Sequence, residues 1–361
     1  MDFIISNIHF HFIFFLILGT LFKNRSMDIK NLFPNIDFTE TIKCLYSSKN
    51  VVITTHINPD GDAIGSSLAL FYALTNMKKK VNVIISDSGC PVVYNFLPHS
   101  QKIEQYKAVY HNEIISSADI IIVVDCGELA RINNLETIVR ESPAKKILID
   151  HHIDSEKFAD YICVDDNAIA TGEIVFALLK QANIKINKQI SDALYCSIYS
   201  DSGGFRFSKT SQRTHFIAGV LIKAGTDVDE IYDNVYNQNS LAKIQIRGLA
   251  MSSMITELNG KLIFMFVTKK MFLRTNATNE DTEELTQVAL SVKGVKVAIM
   301  IREYNDGLRI SLRSKKDINI EPIAKKFNGG GHLNAAGCKL HNISVPDAKK
   351  LLTKEVEKIL G

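Results

Sequence analysis

Apolar residues recur along the first two thirds of the chain in short, continuous, β-branched runs. Val51-Val52-Ile53-Thr54-Thr55, residues 81–85, Ile120-Ile121-Ile122-Val123-Val124 and residues 146–149 each read as a buried strand. Between them the pattern changes to a helical period, predicting helices over about 63–75, 172–182 and 190–199, with Leu68, Phe71 and Tyr72 among the apolar positions of the first. Continuous apolar strands alternating with helices predict an α/β fold with a mostly parallel sheet covered on both faces. Residues 210–249 are helical in pattern, polar on one side and without strand signal, and read as a connector. A second, smaller α/β unit follows. It has a strand at 261–267, strands at 296–302 and 308–313 around the turn signal Asn305-Asp306-Gly307, a helix over 321–327, a glycine run and a closing helix over 346–360.

The first residues stand apart. Residues 3–22 are strongly apolar, with Lys23 and Arg25 after them. They read either as a signal anchor, which by its following charges would leave the main domain cytoplasmic, or as sequence upstream of a translation start at Met27. The start at Met27 is favoured, because only Asp2 is charged before the run and Ser6, Asn7, His9 and His11 interrupt it.

At 361 residues, with 46% hydrophobic and 22% charged residues, the chain has room for two ordinary cores and is no disordered or fibrous protein. A net charge of +3 excludes a general duplex-DNA binder, so any nucleic-acid contact should be a local patch. Six scattered cysteines without a C-x-x-C argue for a reducing compartment, here the cytoplasm, and against a disulfide scaffold.

The candidate chemistry lies where strands end. The first strand runs into His56-Ile57-Asn58-Pro59-Asp60-Gly61-Asp62, the third into Asp125-Cys126-Gly127 and the fourth into Asp150-His151-His152. In an open parallel sheet these ends form one rim, so His56, Asp60, Asp62, Asp125, Asp150, His151 and His152 should converge. Each alone has an ordinary reading as a helix cap, turn or surface polar group; three in one array do not. Carboxylates and imidazoles so crowded repel unless a divalent cation compensates them. Oxygen and imidazole donors without thiolate suit Mn²⁺ best, with Mg²⁺, Fe²⁺ or Co²⁺ open. Two such ions would make a hydrolytic centre for phosphoesters. Asp201, in Ser200-Asp201-Ser202-Gly203, should point to the same rim, and Arg206 between Phe205 and Phe207 would clamp a phosphate. In the second unit, Gly329-Gly330-Gly331-His332 reads as a tight loop offering backbone N–H groups and an imidazole to an anion, with Arg309 and Arg313 on the facing hairpin strand. Lys315 and Lys316 read as solvated charges.

These motifs, in this order, resemble those of the DHH phosphoesterases: Thr55-His56-Ile57-Asn58-Pro59-Asp60-Gly61-Asp62, Val124-Asp125-Cys126-Gly127, Asp150-His151-His152 and Asp201. Gly329-Gly330-Gly331-His332-Leu333-Asn334-Ala335-Ala336-Gly337 resembles the signature of the DHH-associated C-terminal domain. The layout is most similar to the nanoRNase branch, bifunctional oligoribonucleases and 3′-phosphoadenosine 5′-phosphate phosphatases. The resemblance implies a metal held by His56, Asp60 and Asp125, a second held by Asp62, Asp125, His151 and Asp201, and Asp125 bridging. It implies His152 near the scissile phosphate and Asp150 orienting the histidine pair. It places substrate contacts at Arg309, Arg313, Gly330, Gly331 and His332, with the substrate bound between the domains.

The expected division is an N-terminal extension over 1–27, a catalytic domain over 28–209, the helical connector over 210–249 and a substrate-binding domain over 250–361. The expected partners are short single-stranded RNA or a nucleotide, with no duplex DNA, a membrane only if the first segment is a true anchor, and a homodimer left open. A cyclic or linear dinucleotide phosphodiesterase is the alternative enzyme. Inorganic pyrophosphatase fits less well, since the glycine-histidine loop suits an organic phosphate. A non-catalytic nucleotide-sensing module fits least, since every metal position is filled.

Overall fold

The computed structural model describes residues 32–86, 89–153 and 155–361, and the chain divides into one unit up to Gln238 and a second from Asn239 to Gly361. The apolar segment at 3–22 lies outside the described residues. Among the described residues no helix is long and apolar enough to cross a membrane.

The first unit is built on six parallel strands, β1 (Asn50–Thr54), β2 (Lys80–Ile85), β3 (Ile103–Gln105), β4 (Ile120–Val124), β5 (Lys145–Asp150) and β6 (Tyr161–Val164). Their order across the sheet is β3-β2-β1-β4-β5-β6. Val51 sits between Val81 and Ile120 in register. The order reverses between β1 and β4, so the connections leaving these neighbours diverge and open a crevice at their C-terminal ends.

Among the described residues eight α-helices accompany the sheet: α1 (Thr39–Ser47), α2 (Gly61–Asn76), α3 (Ala108–Ser116), α4 (Glu136–Glu141), α5 (Thr171–Gln181), α6 (Lys188–Asp201), α7 (Gln212–Lys223) and α8 (Val228–Tyr236). On one face Ile53, Ile122 and Ile149 pack with Leu68, Phe176 and Leu194; on the other Val52, Ile121, Val123 and Leu148 pack with Ile115, Leu135 and Val139. Two covered faces explain why β4 is apolar throughout and β1, β2 and β5 carry consecutive buried apolar residues. Strands β3 and β6 carry no such signal because they lie at the edges, where β3 buries only Ile103 and β6 only Cys163.

Helices α2 and α6 approach closely at Gly65, where a Cβ would lie 2.4 Å from the Ala193 carbonyl oxygen. That contact brings Asp62 and Asp201, at the sheet's C-terminal edge, onto the crevice.

The second unit has helices α9 (Leu241–Ser252), α10 (Lys269–Thr275), α11 (Leu285–Leu290), α12 (Glu321–Lys326) and α13 (Val345–Leu360). Its strands are β7 (Ile255–Glu257), β8 (Leu262–Val267), β9 (Val297–Tyr304), β10 (Gly307–Ser314), β11 (Gly330–His332) and β12 (Ala335–Leu340), in the order β11-β12-β10-β9-β8-β7. Strand β8 pairs with β9 in parallel and the other neighbours are antiparallel. Ile299, Ile310 and Leu312 pack with Leu352 and Val356 of α13, while Ile263, Met265 and Met300 pack with Ile246 of α9 and Leu285 of α11.

The glycine run, read from sequence as a loop, forms strand β11. A Cβ at Gly331 would lie 2.3 Å from the Ala335 carbonyl oxygen, and its φ is +146°. Glycine lets β11 fold back on β12 where a side chain would block it.

Candidate metal centre

The rim is assembled from the ends of β1, β4, β5 and α6. Asp60 caps α2, its Oδ1 accepting from the backbone N–H groups of Asp62 (3.0 Å) and Ala63 (3.1 Å). This turns Asp62 inward, where it is fully buried. Asp62 Oδ1 accepts from Ser197 Oγ (2.6 Å), Ser66 Oγ (3.1 Å) and Gly172 N (3.1 Å), and its Oδ2 accepts from Thr171 N (2.6 Å). The last two donors belong to the free N-terminus of α5, a natural seat for a negative charge. Even so, burial, with Asp125 and Asp201 nearby, pushes the Asp62 carboxyl well above its ordinary range.

Asp125 follows β4 in the left-handed region at φ +53° and is 2% exposed. Its N–H donates to Ile149 O at 2.9 Å, which ties it to β5. Its Oδ1 accepts from Thr171 Oγ1 at 3.2 Å and lies 3.5 Å from His151 Nε2, and its Oδ2 lies 3.4 Å from His56 Nε2. Burial acts to raise the Asp125 carboxyl, but His151 and His56 overcome it and hold the group well below the usual range. The same contacts work on the imidazoles. Burial opposes the proton on each ring, yet the carboxylates raise His56 and push His151 up to about 10.

His56 Nδ1 meets Ile57 O at 2.7 Å and His151 Nδ1 meets Ala168 O at 3.3 Å, so both rings turn Nε2 into the crevice. His151 Nε2 lies 3.3 Å from Asp201 Oδ2 and 3.7 Å from Asp62 Oδ2. Asp201 ends α6, and burial, with Asp60 beside it, pushes it up to about 7. Asp150 is set behind the rim. Fully buried, it accepts from His152 Nδ1 (2.7 Å) and Ser155 Oγ (2.9 Å).

Three groups of potential ligand atoms result, each within 4.8 Å: His56, Asp60 and Asp125; Asp62, His151 and Asp201; Asp125, His151 and His152. Four carboxylates converge with imidazoles beside them, and the upward shifts of Asp62 and Asp201 mark a place short of positive charge among the described residues. The donors are oxygen and imidazole nitrogen without thiolate. The set fits a divalent cation.

The structure thus gathers His56, Asp60, Asp62, Asp125, His151, His152 and Asp201, with Asp150 behind them. Arg206 is different: it is exposed and its guanidinium lies over the Phe207 ring at 5.4 Å. The supporting residues Ser66, Ala168, Thr171, Gly172 and Ser197 carried no sequence signal beyond the small residues at the start of α5.

In the second unit, pairing aligns the expected contact residues in rows. His332 pairs with Ala335 and Ala335 with Arg313; Gly330 pairs with Gly337 and Gly337 with Ser311; Lys339 pairs with Arg309 and Arg309 with Arg302. Directly paired residues share a face. This face is opposite Ile310 and Leu312; on β10, β11 and β12 it holds basic and small residues, and on β9 it continues through Ala298, Met300 and Arg302. A groove of about 590 Å³ is lined by Arg302, Arg309, Ser311, Gly337 and Lys339 among others. Arg309 lies over the Tyr304 ring at 4.0 Å, Arg302 Nη2 donates to Ser311 Oγ at 3.1 Å, and Arg313 Nη1 donates to Leu312 O at 3.0 Å. Gly331 faces away on the β11–β12 hairpin, and Gly330 is open.

The family model for the N-terminal domain of the DHH family matches residues 50–198, and that for the DHHA1 domain matches residues 259–361. The bifunctional oligoribonuclease and PAP phosphatase of Bacillus subtilis (strain 168) is 26% identical over 307 residues, covering 84% of this chain and 93% of that protein. The protein of the same description from Mycoplasma genitalium is 28% identical over 307 residues, covering 84% and 92%. The crystal structure of an exopolyphosphatase-related protein from Bacteroides fragilis matches with a TM-score of 0.76 and 32% identity, covering 88% of this chain and 95% of that one.

Proposed function

Because the chain belongs to the DHH family, we propose that it is a divalent-metal-dependent phosphoesterase that hydrolyses short oligoribonucleotides to mononucleotides and removes the 3′-phosphate of 3′-phosphoadenosine 5′-phosphate. The observation that carries the reading is the placement of Asp125, whose Oδ2 faces His56 and whose Oδ1 faces His151. It stands between two sets of ligand atoms. The activities of these relatives, matched across more than nine tenths of their own lengths, support the substrate class.

His56, Asp60 and Asp125 would hold one ion and Asp62, Asp125, His151 and Asp201 a second, Mn²⁺ being the proposed metal. When bound, such ions supply Lewis-acid polarisation of a phosphoryl oxygen and lower the pKa of water. The chain's own residues do the rest. Four hydrogen bonds fix Asp62, so its orientation needs no reorganisation during turnover. Asp150 holds His152 by Nδ1 and leaves Nε2 turned outward on a ring 41% exposed. Water attacks phosphorus and the bond to the 3′-oxygen breaks; His152, with its Nδ1–H held by Asp150, is placed to take the proton the water gives up on Nε2 and to pass it to that oxygen. Arg309, Arg313 and His332, on one face of the second unit, bind substrate phosphate and base, with Gly330 leaving the backbone open to it and Gly331 letting that strand pack closely on β12; Arg206 contributes a further guanidinium. We assign residues 28–209 to catalysis, 210–249 to the connector and 250–361 to substrate binding, in a cytoplasmic protein.

The test is incubation of the full chain with Mn²⁺ and labelled RNAs from the dinucleotide upward, with 3′-phosphoadenosine 5′-phosphate in parallel. Mononucleotides from the shortest RNAs and phosphate from the second substrate are expected. Silence on both, with cleavage of a cyclic or linear dinucleotide, would replace this reading by the second-messenger phosphodiesterase.

A further inference from the structure

One short segment, from Asp165 to the first turn of α5, touches three of the rim residues. Ala168 O meets His151 Nδ1, Thr171 N and Gly172 N donate to Asp62, and Thr171 Oγ1 donates to Asp125. The segment starts at Asp165, whose N–H donates to Asp150 O at 3.3 Å, and reaches Glu173 in α5.

Both ends are held by one side chain from another helix. Arg213, on α7, donates from Nη1 to Asp165 Oδ2 at 2.7 Å and from Nε to Glu173 Oε2 at 3.0 Å. Nη1 also donates to Leu32 O at 3.0 Å, and the guanidinium lies over the Phe33 ring at 4.2 Å. The pairs are shielded from solvent, with side-chain exposures of 15% for Arg213, 8% for Asp165 and 0% for Glu173. A charge pair in such a place is screened little and is costly to break, because the remaining carboxylates stay buried without their counter-charge. A planar fork can hold two carboxylates at once; a lysine ammonium, a single point at the end of its stem, fits both poorly.

We propose that Arg213 is a positioning residue for the metal centre: by clamping Asp165 and Glu173 it fixes the segment that orients His151, Asp62 and Asp125. Arg213 touches none of these three and acts only through the segment. The proposal rests on the reading of the rim as a metal centre. A mere staple of the fold would change the melting temperature and leave metal affinity alone.

The experiment is calorimetric titration of Mn²⁺ into the metal-stripped full chain, with a thermal melt of each variant. Arg213→Met keeps the apolar stem over Phe33 and removes the fork. Arg213→Lys keeps the charge. Ile217→Val trims a fully buried residue of the same helix that makes no polar contact. Arg213→Met is expected to raise the Mn²⁺ Kd about tenfold or more, as loss of an outer partner of a metal site does. Arg213→Lys should fall between it and wild type. Ile217→Val should lower the melting temperature with an unchanged Kd. An unchanged Kd in Arg213→Met, or an equal rise in Ile217→Val, overturns the proposal. Should Arg213→Met not fold, Arg213→Lys decides, since a Kd equal to wild type in that variant also overturns it. A wild-type chain that binds no Mn²⁺ overturns this proposal and the metal-centre reading together. A wild-type chain that binds Mn²⁺ but hydrolyses neither proposed substrate refutes the substrate reading alone, while the variant shifts still decide on Arg213.

Discussion

His152 donates its Nδ1–H to the buried Asp150 carboxylate across 2.7 Å, and Ser155 Oγ holds the other carboxylate oxygen at 2.9 Å. A carboxylate can only accept, so the bond fixes which ring nitrogen carries the proton and leaves Nε2 for the substrate. Asp150→Asn can present its amide donor instead and reverse the tautomer. The expected result at saturating Mn²⁺ is a kcat lower by about a hundredfold, the scale of lost general-acid catalysis, with KM nearly unchanged. Steady-state kinetics that leave kcat at the wild-type value would remove His152 from the proton path.

Metal affinity should rise with pH. With His151 pushed up to about 10 by the carboxylates around it, the metal-free ring is protonated at neutral pH and must lose that proton to ligate. Displacement of one proton tightens Mn²⁺ binding about tenfold per pH unit below that pKa. Asp201, pushed up to about 7, adds a second proton to displace at lower pH and steepens the dependence there. Calorimetric titrations at several pH values check this, and a flat Kd would contradict it.

Two glycines should respond differently to alanine. A Cβ at Gly65 would lie 2.4 Å from Ala193 O and 2.8 Å from Ser197 N, both backbone atoms that cannot rotate away. Gly65→Ala is expected to destabilise the first unit by about 1–3 kcal/mol, as overpacking does. Gly330→Ala meets nothing within 4 Å and should melt as wild type does. Thermal melts of both variants are the check; equal stability for Gly65→Ala would refute the close approach of α2 and α6.

Arg313 belongs to the second unit, in one row with Ala335 and His332. If this face holds substrate phosphate, Arg313→Ala weakens binding without touching the reacting atoms. KM should rise about tenfold, the loss of a charge-assisted hydrogen bond, with kcat little changed. A variant whose kinetics match wild type would place Arg313 outside the site.

Much of this was legible in the sequence for a physical reason. Strands β1, β2, β4 and β5 are covered on both faces and so carry consecutive apolar residues, and their C-terminal ends must share a rim, so His56, Asp125 and His151 could be grouped from the sequence. The hairpin at Asn305-Asp306 was legible from its turn residues. The edge strands β3 and β6 were not, since an edge needs few buried side chains. Strand β11 was hidden because its glycines permit a close approach that only the partner strand β12 reveals. The hydrogen bonds around Asp62 were out of reach, because Ser66, Gly172 and Ser197 come from three helices whose meeting point no local pattern encodes. The same is true of Arg213, which bridges Asp165 and Glu173 from 48 and 40 positions away in the chain.

The central claim, that Asp125 is shared by two metal sites, is tested most directly by measuring Mn²⁺ stoichiometry together with turnover of a short oligoribonucleotide. Wild type should be compared with Asp125→Ala and with Asp125→Asn, since asparagine tolerates the left-handed backbone at φ +53°. Two ions per chain in wild type are expected, with metal binding impaired and turnover abolished in both variants while each still melts cooperatively. Near-wild-type turnover in a folded Asp125 variant would contradict the account.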